Sequence, residues 1–339
     1  MSTLQVNEIT DTGGHTLLGR KNAIINGNFD VWQRGTSQTA TGYGSADRWR
    51  SEVSGSSQSV TQQTFTVGQT DVPYNPKYYY RNVVTTGGGA SNYVTVSHRI
   101  EDVTNYSGET VTLSFYAKAD ASKDIAFEFT QNFGSGSTDS QLNTYIDTIS
   151  LTSSWAKYTV TFIVPSVAGK DVQDSSWGRV LFWLDAGSDF NARTNSLGNQ
   201  SGTFEFAQVQ LEAGSVATPF ERRSYGEELA LCRRYFETNY PVGSSLGDII
   251  GDTVQTGIYF RTGSSSPTAE SWFYAVPKRA QASVTIYNGV TGATGSWRGS
   301  SSADITPSVY GGDEYNFRTA FTNLNSLIRS AFYAADAEL

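Results

Sequence analysis

The sequence predicts an all-β protein: a jelly-roll β-sandwich with one short helix and a smaller distal β domain. Short runs of residues alternate apolar and polar with period two, as strands with one buried face require. The connections between these runs are rich in Gly, Ser and Asp, which marks them as turns and loops. Only 17% of the 339 residues are charged, whereas Tyr (19), Phe (18) and Trp (7) are abundant. Aromatic and β-branched side chains suit a pleated, half-buried surface.

Residues 1–21 carry a short apolar alternation at Leu4 and Val6, broken by Gly13, Gly14 and Gly19. So little apolar material cannot build a core, which leaves an extended arm ordering against a partner, or a frayed terminus. Residues 22–222 hold the clearest strands. In Val111–Lys118 the odd positions are apolar, and in Ala156–Val164 the even positions carry the core face. Further strands are expected at Tyr93–Ile100, Ile125–Phe129, Val180–Leu184 and Phe204–Leu211, with loops at Thr86–Ser91 and Gly134–Ser140. Many short strands without intervening helices give a sandwich or jelly roll. The last strand changes phase: Phe204 and Phe206 share one face, then Ala207, Val209 and Leu211 the other. That predicts a bulge or a strand buried on both faces.

Residues 223–240 are read as a connecting helix. Ser224 and Glu227 have capping-box spacing, in which each side chain satisfies the other's orphan backbone donor. Tyr225, Leu229, Cys232 and Phe236 recur at helical spacing through about Glu237. Cys232 on that stripe reads as a small buried hydrophobe. Residues 241–339 form the distal β domain, with strands expected at Thr253–Arg261, Glu270–Val276, Ser283–Tyr287, Phe317–Ala320 and Ser330–Tyr333.

Composition excludes several function classes. A formal net charge of −8, with no basic run, argues against nucleic acid, which demands clustered Lys and Arg. One cysteine and two separated histidines, His15 and His98, supply neither a disulfide framework nor a transition-metal set. His98 shares a face with Val94, Val96 and Ile100 and reads as a core or edge histidine. No stretch approaches the roughly 20 apolar residues needed to span a bilayer, and the first residues lack a signal-peptide pattern. The chain is therefore expected to fold in a cytoplasm and to have no membrane insertion.

Two long runs carry a resemblance. Asn26-Gly27-Asn28-Phe29-Asp30-Val31-Trp32-Gln33-Arg34-Gly35, followed by Ala46-Asp47-Arg48-Trp49, resembles the opening of a jelly-roll domain found in many phage tail-fibre and virion-fibre proteins. Val209–Arg223, then Gly226–Tyr235, resembles the segment that closes that domain and begins the helix. Ala335–Leu339 is similar to endings in the same group. The resemblance implies a carbohydrate-binding-module-like jelly roll in a homotrimeric structural protein of the virion. It also implies an N-terminal arm docking on other virion proteins and a distal domain meeting a host surface glycan or receptor. A structural calcium near the first strand is implied at Asn28 and Asp30, since hard cations want oxygen ligands.

The sequence offers little catalytic chemistry. Gly243-Ser244-Ser245-Leu246-Gly247 formally matches a nucleophile elbow, but that motif needs a flanking strand and helix and a later histidine, and both histidines precede it. Glycoside hydrolysis needs two facing carboxylates, and Asp185, Glu205 and Glu212 cannot be paired by spacing. The expectation is a protein that is not an enzyme. Glycans stack on Trp and Tyr rings while their hydroxyls bond polar side chains. In the distal domain Trp297, beside Arg298 in the loop-like run Gly292–Ser302, is the foremost glycan-binding candidate, joined by Trp272 and Tyr310. Trp32, Trp49, Trp155 and Trp183 are read as core. The functional expectation is host attachment by a virion fibre. A capsid-surface fibre or a collar element without receptor binding is the alternative, and a polysaccharide depolymerase a more distant one.

Overall fold

Period-two alternation in the first two-thirds of the chain becomes strand pairing in two antiparallel sheets. The computed structural model describes residues 21–251, 258–261, 268–299, 303–310, 312–321 and 327–339, so the expected arm at 1–21 lies, Lys21 apart, outside the described residues. The chain divides into two units, the first running to Asp30 and then comprising Ser37–Tyr43 and Trp49–Arg223. The second comprises Val31–Thr36, Gly44–Arg48 and Ser224–Leu339. The helix expected as a connector thus groups with the second unit, as do two short pieces of the opening motif.

In the first unit the strands are β1 (Ser37–Gln38), β2 (Trp49–Ser54), β3 (Ser57–Thr64), β4 (Tyr78–Thr85), β5 (Tyr93–Ile100), β6 (Thr110–Ala119), β7 (Lys123–Asn132), β8 (Leu142–Leu151), β9 (Ala156–Ile163), β10 (Trp177–Ala186) and β11 (Gly202–Ala213). One sheet has the order β1-β3-β4-β11-β6-β9 and the other β2-β5-β10-β7-β8. The chain repeatedly switches sheet between consecutive strands, which is the jelly-roll arrangement. The inward faces meet through rings: Phe182 lies 5.2 Å from Phe206 and 5.0 Å from Phe115, and Phe127 lies 5.4 Å from Phe162. Burying each such side chain stabilises by about 1.5–3 kcal/mol. His98 is inside with them, and its Nε2 accepts the Ile25 N–H at 3.2 Å. A one-turn helix, α1 (Asn191–Thr194), packs near the outer face of β10 beside Trp183 and Phe190, and there Arg193 holds the fully buried Glu128 through Nε and Nη2, each at 2.7 Å.

The expected phase change in β11 is a bulge. Ala207 pairs with Tyr116 and Gln210 with Ser114, so Gln208 and Val209 oppose the single residue Phe115. Gln208 has φ +50. Beyond the bulge β11 meets the opening motif: Val209 N–H donates to Gly27 O at 2.8 Å and Ala23 N–H to Leu211 O at 2.9 Å. Asn22 bridges the same backbone, its Nδ2 donating to Val209 O and its Oδ1 accepting the Leu211 N–H. Phe29 then turns inward against Trp49 (4.9 Å) and Tyr80 (5.4 Å), and Trp49 Nε1 donates to Asn26 O at 3.0 Å.

The second unit begins with the expected helix, α2 (Tyr225–Arg233), whose Ser224–Glu227 capping box is formed in both directions. It ends earlier than the helical spacing suggested. Phe236 lies instead on a strand, because Phe236–Thr238 pairs with the last strand of the chain, and Tyr225 is exposed. Cys232 is fully buried, and burial pushes its thiol well up. The strands are β12 (Phe236–Thr238), β13 (Ile258–Arg261), β14 (Thr268–Phe273), β15 (Ser283–Asn288), β16 (Trp297–Gly299), β17 (Asp304–Ile305), β18 (Ser308–Tyr310), β19 (Asn316–Phe321) and β20 (Leu327–Asp336). β20 is the hub, pairing with β12, β13, β15 and β16, and a separate sheet runs β14-β19-β18.

The two pieces of opening motif in this unit supply buried cations. The Arg34 guanidinium lies 3.6 Å over the Phe236 ring and Arg48 lies 3.4 Å over Tyr235. Arg34 pairs with Glu338 at 3.2 Å and Asp336 at 3.3 Å, and Arg48 pairs with Glu338. Asp47 sits beside them, accepting from Gln33, and burial pushes its carboxyl up to about 6 despite the opposing pull of Arg34. A second buried pair, Lys278 with Glu237 at 2.7 Å, is completed by the Tyr333 hydroxyl donating to Glu237 at 2.9 Å.

Candidate functional site

The distal aromatics expected to bind do not form a site. Trp297 is fully buried, its indole N–H donates to Phe332 O at 3.1 Å, and it packs at 5.8 Å from Trp272. The exposed-loop reading of Trp297 is therefore corrected. The Gly- and Ser-rich run looked like a loop, but Trp297 pairs with Ile305 on β17 and the ring fills the core of the unit. Trp272 is half-buried on that core, with its indole N–H donated to Thr319 Oγ1. Arg298 is engaged with Asp304 at 3.0 Å. Tyr310 alone of the four presents its ring, at 55% exposure, on β18.

The calcium implied at Asn28 and Asp30 does not fit these residues. Asn28 donates its Nδ2 to Asp30 Oδ2 at 2.8 Å, and burial pushes the Asp30 carboxyl above its ordinary value despite that hydrogen bond and the nearby Lys77, which favours the neutral acid over a cation ligand. Among the described residues no group of three or more His, Cys, Asp or Glu is placed to hold a metal. The carboxylates considered for hydrolysis are separately engaged. Asp185 accepts from Ser56 and Gln200, Glu212 from Gln210 and Thr218, and Glu205 from Arg81.

A different surface gathers aromatic and charged side chains: the outward face of the β4-β11-β6-β9 region. Strand parity puts Tyr79 and Arg81 outward while Tyr80 and Asn82 point in, and Tyr116 and Lys118 outward while Phe115 and Ala117 point in. Register aligns them in rows. Arg81 stands opposite Glu205, which stands opposite Lys118; Tyr116 stands between Ala207 and Lys157. Glu205 is buried and shared by two half-exposed cations, Arg81 Nε at 2.6 Å and Lys118 Nζ at 3.0 Å. Trp155, just ahead of β9, lies 5.3 Å from both Tyr79 and Phe65, with Lys118 Nζ 5.5 Å from its ring centre. Trp155 was expected in the core; it is half-buried on this outer face. Burial, with Glu205 beside it, pushes the Tyr79 phenol up, so its hydroxyl stays protonated.

Two depressions open on this face. One of about 310 Å³ is walled by Arg81, Lys118, Asp120, Thr203 and Glu205. The other, about 230 Å³, lies over the bulge among Tyr74, Ser114, Tyr116, Lys157, Gln208 and Phe220. Rings set among fixed hydrogen-bonding groups can stack on the C–H face of a flat ligand and bond its hydroxyls. The parity signal was present in the sequence for Tyr116 and Trp155, which fall on the polar phase of their strands. It was absent for Tyr79, because in Tyr78-Tyr79-Tyr80 both phases carry the same residue.

No family model matches this chain, and no curated protein matches it. Among solved structures, one described as CBM4 is 21% identical, with 56% of this chain and 98% of that chain covered, at a TM-score of 0.33. The family 11 carbohydrate-binding module from Clostridium thermocellum, in complex with a mixed-linked tetrasaccharide, is 14% identical over 54% of this chain and 99% of its own, at 0.32. The enzymatically active domain of bacteriophage CBA120 tailspike protein 4 is 11% identical over 57% of this chain and 21% of its own, at 0.31. At such identities and scores, the functional reading rests on this chain's own residues.

Proposed function

We propose that this chain is a non-enzymatic fibre subunit of a bacteriophage particle. It attaches the virion to its host by binding surface glycan on the outward face of the six-stranded sheet. The observation that carries glycan binding is the aligned set Tyr79, Trp155, Arg81, Glu205 and Lys118, in which aromatic rings adjoin an ion-paired carboxylate. The virion setting is supported by the resemblance of Asn26–Gly35 and Val209–Arg223 to phage fibre proteins. On this reading the chain acts as a homotrimer in the virion, held to its neighbours through residues 1–21. A binding rather than hydrolytic role is supported by Asp185, Glu205 and Glu212 each being tied to its own partners.

The test is retention of the purified chain in gels containing host surface polysaccharide. Trp155→Ala should weaken retention by roughly 1–3 kcal/mol, the scale of an aromatic hot spot. Unchanged retention, with the variant folded, would remove this face as the site.

A further inference from the structure

We infer that the depression over the β11 bulge takes a single sugar residue bearing an anionic group, carboxylate or phosphate; this deepens the sheet-face reading and rests on it. Gln208 lines the depression and is 3% exposed. Its Nε2 is committed to Pro73 O at 2.7 Å, which fixes the orientation of the amide, and its Oε1 has no hydrogen-bond partner among the described residues. A buried acceptor without a donor is costly, and this one sits on a non-glycine residue held at φ +50. Strain and an unmet acceptor at one residue, inside a depression, point to a ligand that brings a donor. A sugar hydroxyl is such a donor.

The walls specify the rest. Tyr74 and Tyr116 offer rings, and burial together with the neighbouring Tyr74 pushes the Tyr116 phenol up, so it remains a neutral donor. Among the described residues Lys157 is the only charged one lining the depression, and the Arg222 guanidinium stands 4.7 Å from the Tyr74 ring centre. In a chain of net charge −8, a depression lined by a cation and no carboxylate selects a negative group. Gln208 therefore reads the hydroxyl, the tyrosines the C–H face, and Lys157 the charge.

The experiment titrates the full chain with D-glucuronate, D-glucose 6-phosphate and D-glucose, followed by saturation-transfer NMR. Glucuronate, glucose 6-phosphate or both should bind at least about tenfold tighter than glucose. Lys157→Gln, at an exposed position, should erase that preference without moving the melting temperature. Gln208→Ala should weaken all three sugars alike. Equal binding of the three, no binding by the unmodified chain, or a preference that survives Lys157→Gln overturns the inference. Retention on whole polysaccharide separates the two readings: if Trp155-dependent retention persists while the acidic preference is missing, only the pocket assignment falls. If both are missing, the sheet-face reading falls with it.

Discussion

The carbonyl of Val209 occupies the space that a side chain on Gly27 would need: a Cβ there would come within 2.1 Å of that oxygen. Residues 182 positions apart are thus locked backbone to backbone, and the opening run Asn26–Gly35 meets the closing run Val209–Arg223 at this point. Glu221 reinforces the junction by accepting the Lys21 and Asn22 N–H groups at 2.7 and 2.6 Å.

Gly27→Ala should therefore destabilise the first unit by about 1–3 kcal/mol, the usual cost of overpacking. Urea unfolding followed by tryptophan fluorescence measures it. A change under about 0.5 kcal/mol would mean that β11 can slide away from the motif.

Trp297→Ala should cost about 3–5 kcal/mol of stability, as for a buried aromatic, because the ring is enclosed and its indole N–H is bonded. Glycan retention per folded molecule should be unchanged. A variant that melts normally but adsorbs poorly would restore Trp297 as a contact residue.

Arg48→Ala should destabilise the second unit by about 3–5 kcal/mol, since it removes a fully buried cation and leaves Glu338 with Arg34 alone. Arg48→Met combined with Glu338→Gln should recover part of the loss, because no uncompensated charge then remains. Thermal melts of Arg48→Met, Glu338→Gln and the double variant form the cycle that checks this, with Arg48→Ala as the reference for the loss.

Stability should also depend on the protonation of Asp47. Its folded pKa is raised from 3.8 to about 6, so between those values the folded chain holds a proton that the unfolded chain releases. The sign follows: this contribution is fully present below about pH 4 and is lost as pH rises through about 6, by at most about 3 kcal/mol. Asp47→Asn should flatten that part of the curve, measured as the urea midpoint from pH 4 to 7.

Local patterns in the sequence determined much of the first unit. The parity of Val111–Lys118 and Ala156–Val164 assigned both faces of β6 and β9, the phase change at Ala207 announced the bulge, and Ser224 with Glu227 marked the helix start. These are properties of a few adjacent residues, so they are written in adjacent residues. Tertiary structure decided the rest. Whether Trp297 is exposed depends on pairing with β17 and β20, which its Gly- and Ser-rich neighbours do not reveal. That Tyr79 would stand beside Trp155 depends on β4 and β9 being brought into one sheet by the two strands between them. That Arg34 and Arg48 would cap Phe236 and Tyr235 depends on contacts across nearly two hundred residues. Burial and strand neighbours are set by long-range packing, which no local periodicity encodes.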